Sequence, residues 1–226
     1  MMQKFKLEIN NELIEIQLEK AFCIGYSGRD KEKTYEHIKE LSEIGIPEPE
    51  EVPMLYPVSV NNVTQEKFIE VVGKETSGEA EIVIIFGDTK DEVYITLGSD
   101  HTDRDLETVS INKSKQVCAK PLATKAWNLN EVLDHWDQLI LSSELNLNGE
   151  WVPYQKDNLT AILPYNEIIK YIEKKKGPRN NSIYFSGTVP LLEGFSYGGA
   201  FRMTLEDPLK KDIINSTYKI LNIEVR

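Results

Sequence analysis

The sequence predicts an α+β, β-rich fold of the sandwich, roll or barrel kind. Three observations carry that expectation: many short runs rich in β-branched and aromatic residues, turn residues between them, and few stretches with helical spacing. Residues 4–18 open the chain as a β-hairpin, because KFKLEI and LIEIQL alternate apolar with charged residues around an Asn10-Asn11-Glu12 turn. Residues 21–26 read as a short buried strand. Residues 30–44 carry Tyr35, Ile38, Leu41 and Ile44 at helical spacing, and Gly45, Pro47 and Pro49 stop that helix.

From Val52 onward the pattern is mostly strand. Residues 68–72, 81–86 and 92–98 are β-branched or aromatic runs bounded by turns. Residues 130–141 resemble a helix starting from an Asn cap, and residues 166–176 a further helix. Residues 143–147, 182–186, 199–205 and 218–225 complete the predicted strands. There is no internal repeat and no low-complexity linker. Residues 1–226 are therefore expected to form one domain, with residues 1–51 as an N-terminal hairpin and cap on a core of residues 52–226.

Bulk properties narrow the function. The 226 residues are 40% apolar and 28% charged, as in an ordinary globular protein. The net charge of −11 argues against a nucleic-acid partner, since neutralising phosphates takes clustered Lys and Arg. The basic run Lys174-Lys175-Lys176 is explained as a helix C-terminus before Gly177-Pro178. No apolar run approaches the roughly 20 residues of a bilayer span, so no membrane partner is expected. The alternating start lacks a signal peptide's apolar core, and the expected setting is the cytoplasm. Cys23 and Cys118 form neither a disulfide framework nor a CxxC zinc pair, and read as buried thiols.

Glu79-Ala80-Glu81 stands at the entry to the strand EIVIIFG. Residues i and i+2 of a strand share a face, so both carboxylates project together. Two such groups repel unless one is protonated or a hard cation joins them. One strand later, Gly98 to Asp105 adds Asp100, Asp103 and Asp105. By local chemistry alone this is a candidate divalent-cation site beside the plainer reading of an exposed acidic strand face.

These residues also match a family. EAEIVIIFG resembles the ExE-plus-strand motif of fumarylacetoacetate hydrolase-like enzymes, and DHTDRDLE their D-x-[ST]-x-R-D-x-Q motif. LNLNGEWVPYQ, with Gln155, is similar to their NGE…Q segment. Ser186-Gly187-Thr188 is similar to their SGT loop, and Tyr35 to Leu41 to their H-x-x-E lid helix. The five motifs follow the family's order over residues 35–205, nearest to an uncharacterised prokaryotic branch.

The resemblance implies a mixed β-roll with the metal at its open end and Glu79, Glu81 and Asp100 as ligands. Magnesium is the implied ion, with manganese or calcium fitting the same oxygen site. It further implies His37 and Glu40 as a water-activating dyad on one helix face, against a plain reading as an incidental surface pair. Lys115 or Lys113 would stabilise developing negative charge, with Lys115 favoured. Arg104, Thr188, Gly187 and Gln155 would contact a small-molecule carboxylate substrate. A structural ion pair of Arg104 with Asp103 or Asp105 is the alternative for that residue. His101 would point away from the metal.

The implied activity is metal-dependent hydrolysis of a C–C bond in an acylpyruvate-like or β-diketo acid, with the Mg²⁺-bound enolate leaving. An isomerase, decarboxylase or hydratase on a 2-oxo or 2-hydroxy acid is the alternative, and a non-catalytic metal–carboxylate binder the reading of another class. A homodimer is implied. Three departures stand out: Glu107 replaces the motif's glutamine, the Glu81–Asp100 connection is short, and Arg202 stands where a longer pattern has a glutamate.

Overall fold

The computed structural model describes residues 2–223. β1 (Gln3–Ile9) and β2 (Glu12–Leu18) form the expected hairpin. Its turn residues Asn10 and Asn11 have φ of 52° and 65°, the left-handed pair that a tight hairpin turn needs and asparagine tolerates. β3 (Lys20–Gly25) follows, then α1 (Lys31–Glu43). The Asp30 side chain caps α1 by accepting from the Glu32 and Lys33 amides. The helix ends before Gly45, whose φ is +93°. Thr34 and Ile38 are its buried residues, while Tyr35 and Ile44 stay exposed, so α1 lies on the surface.

β4 (Met54–Val58), β5 (Val63–Thr64), β6 (Phe68–Val71) and β7 (Thr76–Ser77) lead to the long β8 (Ala80–Phe86) and β9 (Val93–Ser99). β10 (Thr102–Asp103), α2 (Arg104–Glu107), α3 (Ile111–Val117), β11 (Lys120–Pro121) and β12 (Trp127–Asn128) come next. The chain ends with β13 (Ile140–Leu147), β14 (Glu150–Asn158), α4 (Tyr165–Lys174), β15 (Ser182–Thr188), β16 (Ala200–Asp207) and β17 (Asp212–Asn222). Residues 224 and 225 of the predicted last strand lie outside the described residues.

Two sheets organise these strands. One has the order β12-β9-β8-β15-β3-β4, the other β14-β13-β16-β17-β6. Ile82, Ile84, Ile95 and Leu97 of the first sheet join Leu141, Leu145, Phe201, Met203 and Tyr218 of the second in one apolar cluster. On the opposite face of the first sheet, Val83, Ile85, Tyr94 and Phe185 pack with Phe5, Leu7 and Leu18 of the hairpin. β8 is thus buried on both faces, which is why AEIVIIF is nearly continuous in apolar residues.

The structure corrects two expectations. Residues 130–141 form no α-helix. They make two short 3-10 segments, Leu129–Glu131 and Leu133–Gln138, before β13 begins at Ile140. His135 breaks the helical geometry (φ −128°, ψ 26°) as its Nε2 pairs with Asp207 at 2.7 Å. Asp137 is forked by the Arg29 guanidinium. Val132, Trp136 and Leu139 are buried at a spacing that imitates a helix. Nor does residue 52 divide cap from core: β3 runs parallel to β15 and antiparallel to β4 inside the first sheet, with Ala21, Cys23 and Ile24 buried.

Candidate metal centre

The register of β8 and β9 builds the site. Ala80 pairs with Ser99 and Glu81 with Gly98, and the Asp100 amide donates to the Glu79 carbonyl at 3.0 Å, one step beyond the strands. Glu79 and Glu81 share a face with Val83 and Ile85. Asp100 lies on that same face, which also carries Tyr94 and Gly98. Ligand oxygens of Glu79, Glu81 and Asp100 therefore converge, all within 4.8 Å of one another. Glu81 is 4% exposed and Asp100 1%. Gly98 leaves the room: a Cβ there would stand 2.6 Å from Phe185 Cε1 and 3.0 Å from the Pro121 carbonyl oxygen.

β15 supplies the next support. Its register shifts between Phe185 and Thr188, which brings Thr188 opposite Glu81. Within the shift Gly187 takes φ +140° and donates its N–H to Glu81 Oε2 at 3.0 Å. A Cβ on Gly187 would come within 2.2 Å of Ser27 Oγ, so conformation and space both require glycine. The Thr188 hydroxyl donates to the Ala80 carbonyl at 2.7 Å and accepts from Gln155 Nε2 at 2.6 Å. Gln155 Nε2 also donates to the Val189 carbonyl (2.8 Å), while its Oε1 accepts from the Ala80 amide (2.9 Å) and the Ser143 hydroxyl (2.8 Å). The buried Gln155 amide is thereby saturated, linking the two sheets under the triad rather than facing outward.

Cations close in from the chain after Asp100. Lys115 on α3 is buried and donates to Asp100 Oδ2 at 2.6 Å, whereas Lys113 is exposed. Arg104 is buried, with Nε donating to Ser77 Oγ (2.7 Å) and Nη1 to Glu107 Oε2 (2.8 Å). Its Nη2 lies 3.4 Å from Glu79 Oε1, and the guanidinium stacks 4.3 Å from the centre of the Phe195 ring. Its partners are thus Glu79 and Glu107. Asp103 instead caps α2 through the Leu106 amide.

Lys120 is the residue that sequence reasoning missed. Fully buried, its ammonium stands 3.4 Å from Asp100 Oδ1 and donates to the carbonyls of His101, Lys115 and Cys118. Its signal was a lone lysine in the otherwise apolar VCAKPLA. His101 is buried and turned toward Tyr218 (2.9 Å) and Thr76 (3.0 Å); burial holds its imidazole neutral, well below the ordinary range.

The electrostatics are unbalanced. Burial, with Asp100 beside it, pushes the Glu81 carboxyl well above the usual range. Burial would raise Asp100 too, but the Lys115 and Lys120 ammoniums outweigh it and hold that group below its ordinary value. For Lys115 burial opposes the charge, yet Asp100, Glu79 and Glu107 keep it firmly protonated. Four carboxylates (Glu79, Glu81, Asp100 and Glu107) thus face three cations (Arg104, Lys115 and Lys120). A divalent ion among the three convergent carboxylates removes the excess, and this oxygen donor set suits a hard cation.

His37 and Glu40 are not brought there. They sit on exposed α1 with side chains 59% and 76% in solvent and His37 Nδ1 3.7 Å from Glu40 Oε2. Among the described residues no contact joins them to the triad. No helix of the described residues is long and apolar enough to cross a membrane.

Comparison with known proteins places this geometry. The model of the family described as "Protein of unknown function (DUF2848)" matches residues 24–218. No curated protein matches the sequence. Among solved structures, that of Cg1458 superposes with a TM-score of 0.66 at 14% identity, over 98% of this chain and 100% of the other. An inhibitor-bound Cg1458 gives 0.68 at 18%, over 93% and 80%. A 2-keto-3-deoxy-D-arabinonate dehydratase complexed with magnesium and 2,5-dioxopentanoate gives 0.68 at 14%, over 95% and 78%. The likeness establishes a fumarylacetoacetate hydrolase-like fold, the mixed β-roll that the motifs implied.

Proposed function

We propose, for a chain that belongs to the DUF2848 family, a metal-dependent enzyme acting on a 2-oxo acid, with Glu79, Glu81 and Asp100 as ligands of a magnesium ion. The observation that carries this reading is the convergence of three carboxylates, two of them buried, with Lys115 against the most enclosed of them. The magnesium-bound dehydratase of the same fold supports it. When bound, the cation would act as a Lewis acid on the substrate's 2-oxo group.

The protein's own groups supply the rest. Gly187 orients Glu81 through its N–H, and Arg104 orients Glu79. Lys115 keeps Asp100 ionised and places an ammonium where negative charge develops during reaction. With a divalent ion added, the cluster's net charge becomes positive, which suits an anionic carboxylate substrate. Thr188 and the SGT loop form the wall beside Glu81.

The finer reading is hydrolytic C–C cleavage of an acylpyruvate-like acid, in which water attacks the distal carbonyl and a 2-oxo acid departs. Its base would be His37 steadied by Glu40, which requires α1 to close over the site. A second reading, dehydration, isomerisation or decarboxylation of a 2-oxo or 2-hydroxy acid, needs no hydrolytic water. That reading makes no use of the exposed His37 and Glu40. The nearest branch of the superfamily is taken to be a prokaryotic one, and the working form a homodimer of single-domain chains, which light scattering in solution tests.

The functional test is turnover of acetylpyruvate and oxaloacetate before and after chelation, with magnesium restored. Both chelation and Glu81→Ala are expected to abolish it. Turnover that survives either would remove the metal mechanism. His37→Ala separates the finer readings, since acetylpyruvate hydrolysis should collapse while oxaloacetate decarboxylation persists.

A further inference from the structure

Tyr26, just after β3, has φ of 57°. Among the described residues the other non-glycine positions with positive φ are asparagines and lysines in turns, at a helix end or before a strand: Asn10, Asn11, Asn148, Lys176, Asn181 and Lys211. A bulky aromatic residue in that region is strained and holds only where its surroundings impose it.

Here they do. The Ser27 carbonyl accepts from the Leu163 amide at 2.8 Å, and the Arg29 amide donates to the Ala161 carbonyl at 3.0 Å. Gly28 bridges Ile162. On the other side the Tyr56 ring lies across Gly25, where a Cβ would come within 2.8 Å of Tyr56 Cε2. Tyr26 is pinned from both flanks.

Both flanks of Tyr26 border the metal centre: Tyr56, across Gly25, has the Lys115 ammonium 5.7 Å from the centre of its ring. Ser27 packs on Gly187, whose N–H holds Glu81. The half-buried Tyr26 phenol stands in the field of Glu107, Lys115, Glu79 and Arg104. Its hydroxyl makes no hydrogen bond to any described residue, so the donor is free for a ligand.

We propose that Tyr26 is a substrate-contacting residue whose phenol donates a hydrogen bond to an oxygen of the substrate beyond the two that face the cation. In the acylpyruvate-like acid of the proposed function that oxygen is the carbonyl at the fourth carbon. This rests on the 2-oxo acid reading above. The carboxylate and 2-oxo oxygens have the cation and Lys115 to meet them, while a neutral phenol suits a neutral acceptor further along the molecule.

The test is calorimetric titration of the magnesium-loaded protein with two probes. Oxalate carries only cation-facing oxygens, and acetylpyruvate adds a carbonyl at the fourth carbon. In Tyr26→Phe, acetylpyruvate is expected to bind about 5- to 10-fold more weakly and oxalate within about twofold of wild type. Tyr26→Asn, compatible with the left-handed backbone, should repeat that pattern and serves if the phenylalanine variant fails to fold. An equal fall for both probes, or no fall for either, overturns the proposal. If wild-type protein with magnesium binds neither probe, the 2-oxo acid reading itself has failed, and the wild-type titration alone reveals it.

Discussion

Replacing Glu81 by glutamine removes a carboxyl whose ionisation burial and Asp100 oppose, while keeping the side chain's size. It also keeps an oxygen that can accept the Gly187 N–H. With the three carboxylates within 4.8 Å of one another, each like-charged pair repels by about 3.5 kcal/mol at an effective dielectric of about 20. Lys115 and Lys120 on Asp100, and Arg104 on Glu79, offset much of that. A net gain of about 1–2 kcal/mol is therefore expected for the metal-free variant, or about 3–6 °C in melting midpoint. The metal response runs the other way. Magnesium at about a hundredfold its Kd should raise wild-type stability by about 2.7 kcal/mol, or about 5–10 °C, and the variant should lose most of that shift. Thermal melts of both proteins in chelator and in magnesium give all four numbers. A chelated variant melting below chelated wild type would refute the repulsion argument. A variant that keeps the full magnesium shift would refute the ligand assignment.

The other predictions probe the surrounding scaffold. Lys115→Met strands Asp100 with one cation, and urea unfolding should show a loss of about 2–4 kcal/mol, while Lys113→Met on the exposed face stays within about 0.5 kcal/mol. Gly98→Ala drives a methyl into Phe185 and Val83, and should cost about 1–3 kcal/mol in the same assay. A neutral result there would mean that the β8–β9 pair has slack. Gln155→Leu breaks four hydrogen bonds under Ala80 and Thr188, and a loss of about 2–4 kcal/mol is expected. Both thiols are buried, and burial pushes Cys118 up to about 11 and Cys23 well above its usual value. A thiol reagent should therefore find neither in the native protein, even at mildly alkaline pH, and titrate both in denaturant.

Local pattern reached far into this fold because its strands are strongly marked. β8 reads as one apolar run since both its faces are covered, and the β1–β2 hairpin is legible from alternation around two asparagines. The Glu79–Glu81 pair was legible for the same reason, as two residues apart on a strand must share a face. Residues 130–141 misled because burial of Val132, Trp136 and Leu139 imitates helical spacing. What breaks the helix there is the His135–Asp207 contact, made across 72 positions of the chain. The apolar spacing in α1 held for the helix but only Ile38 of that stripe is buried, and His37 and Glu40 stand in solvent.

By itself, the sequence determined which segments extend and turn, and that Glu79 and Glu81 share a face, while Asp100 among its neighbouring acids was singled out by the family resemblance. The first two depend on backbone preference and on a period of two residues, both local properties. Only the tertiary structure decided what surrounds the carboxylates: Lys115 and Lys120 against Asp100, Arg104 between Glu79 and Glu107, and Gln155 turned inward to tie the sheets. Those assignments depend on desolvation and on charge balance among groups far apart in the chain, and neither exists until the two sheets have closed on each other.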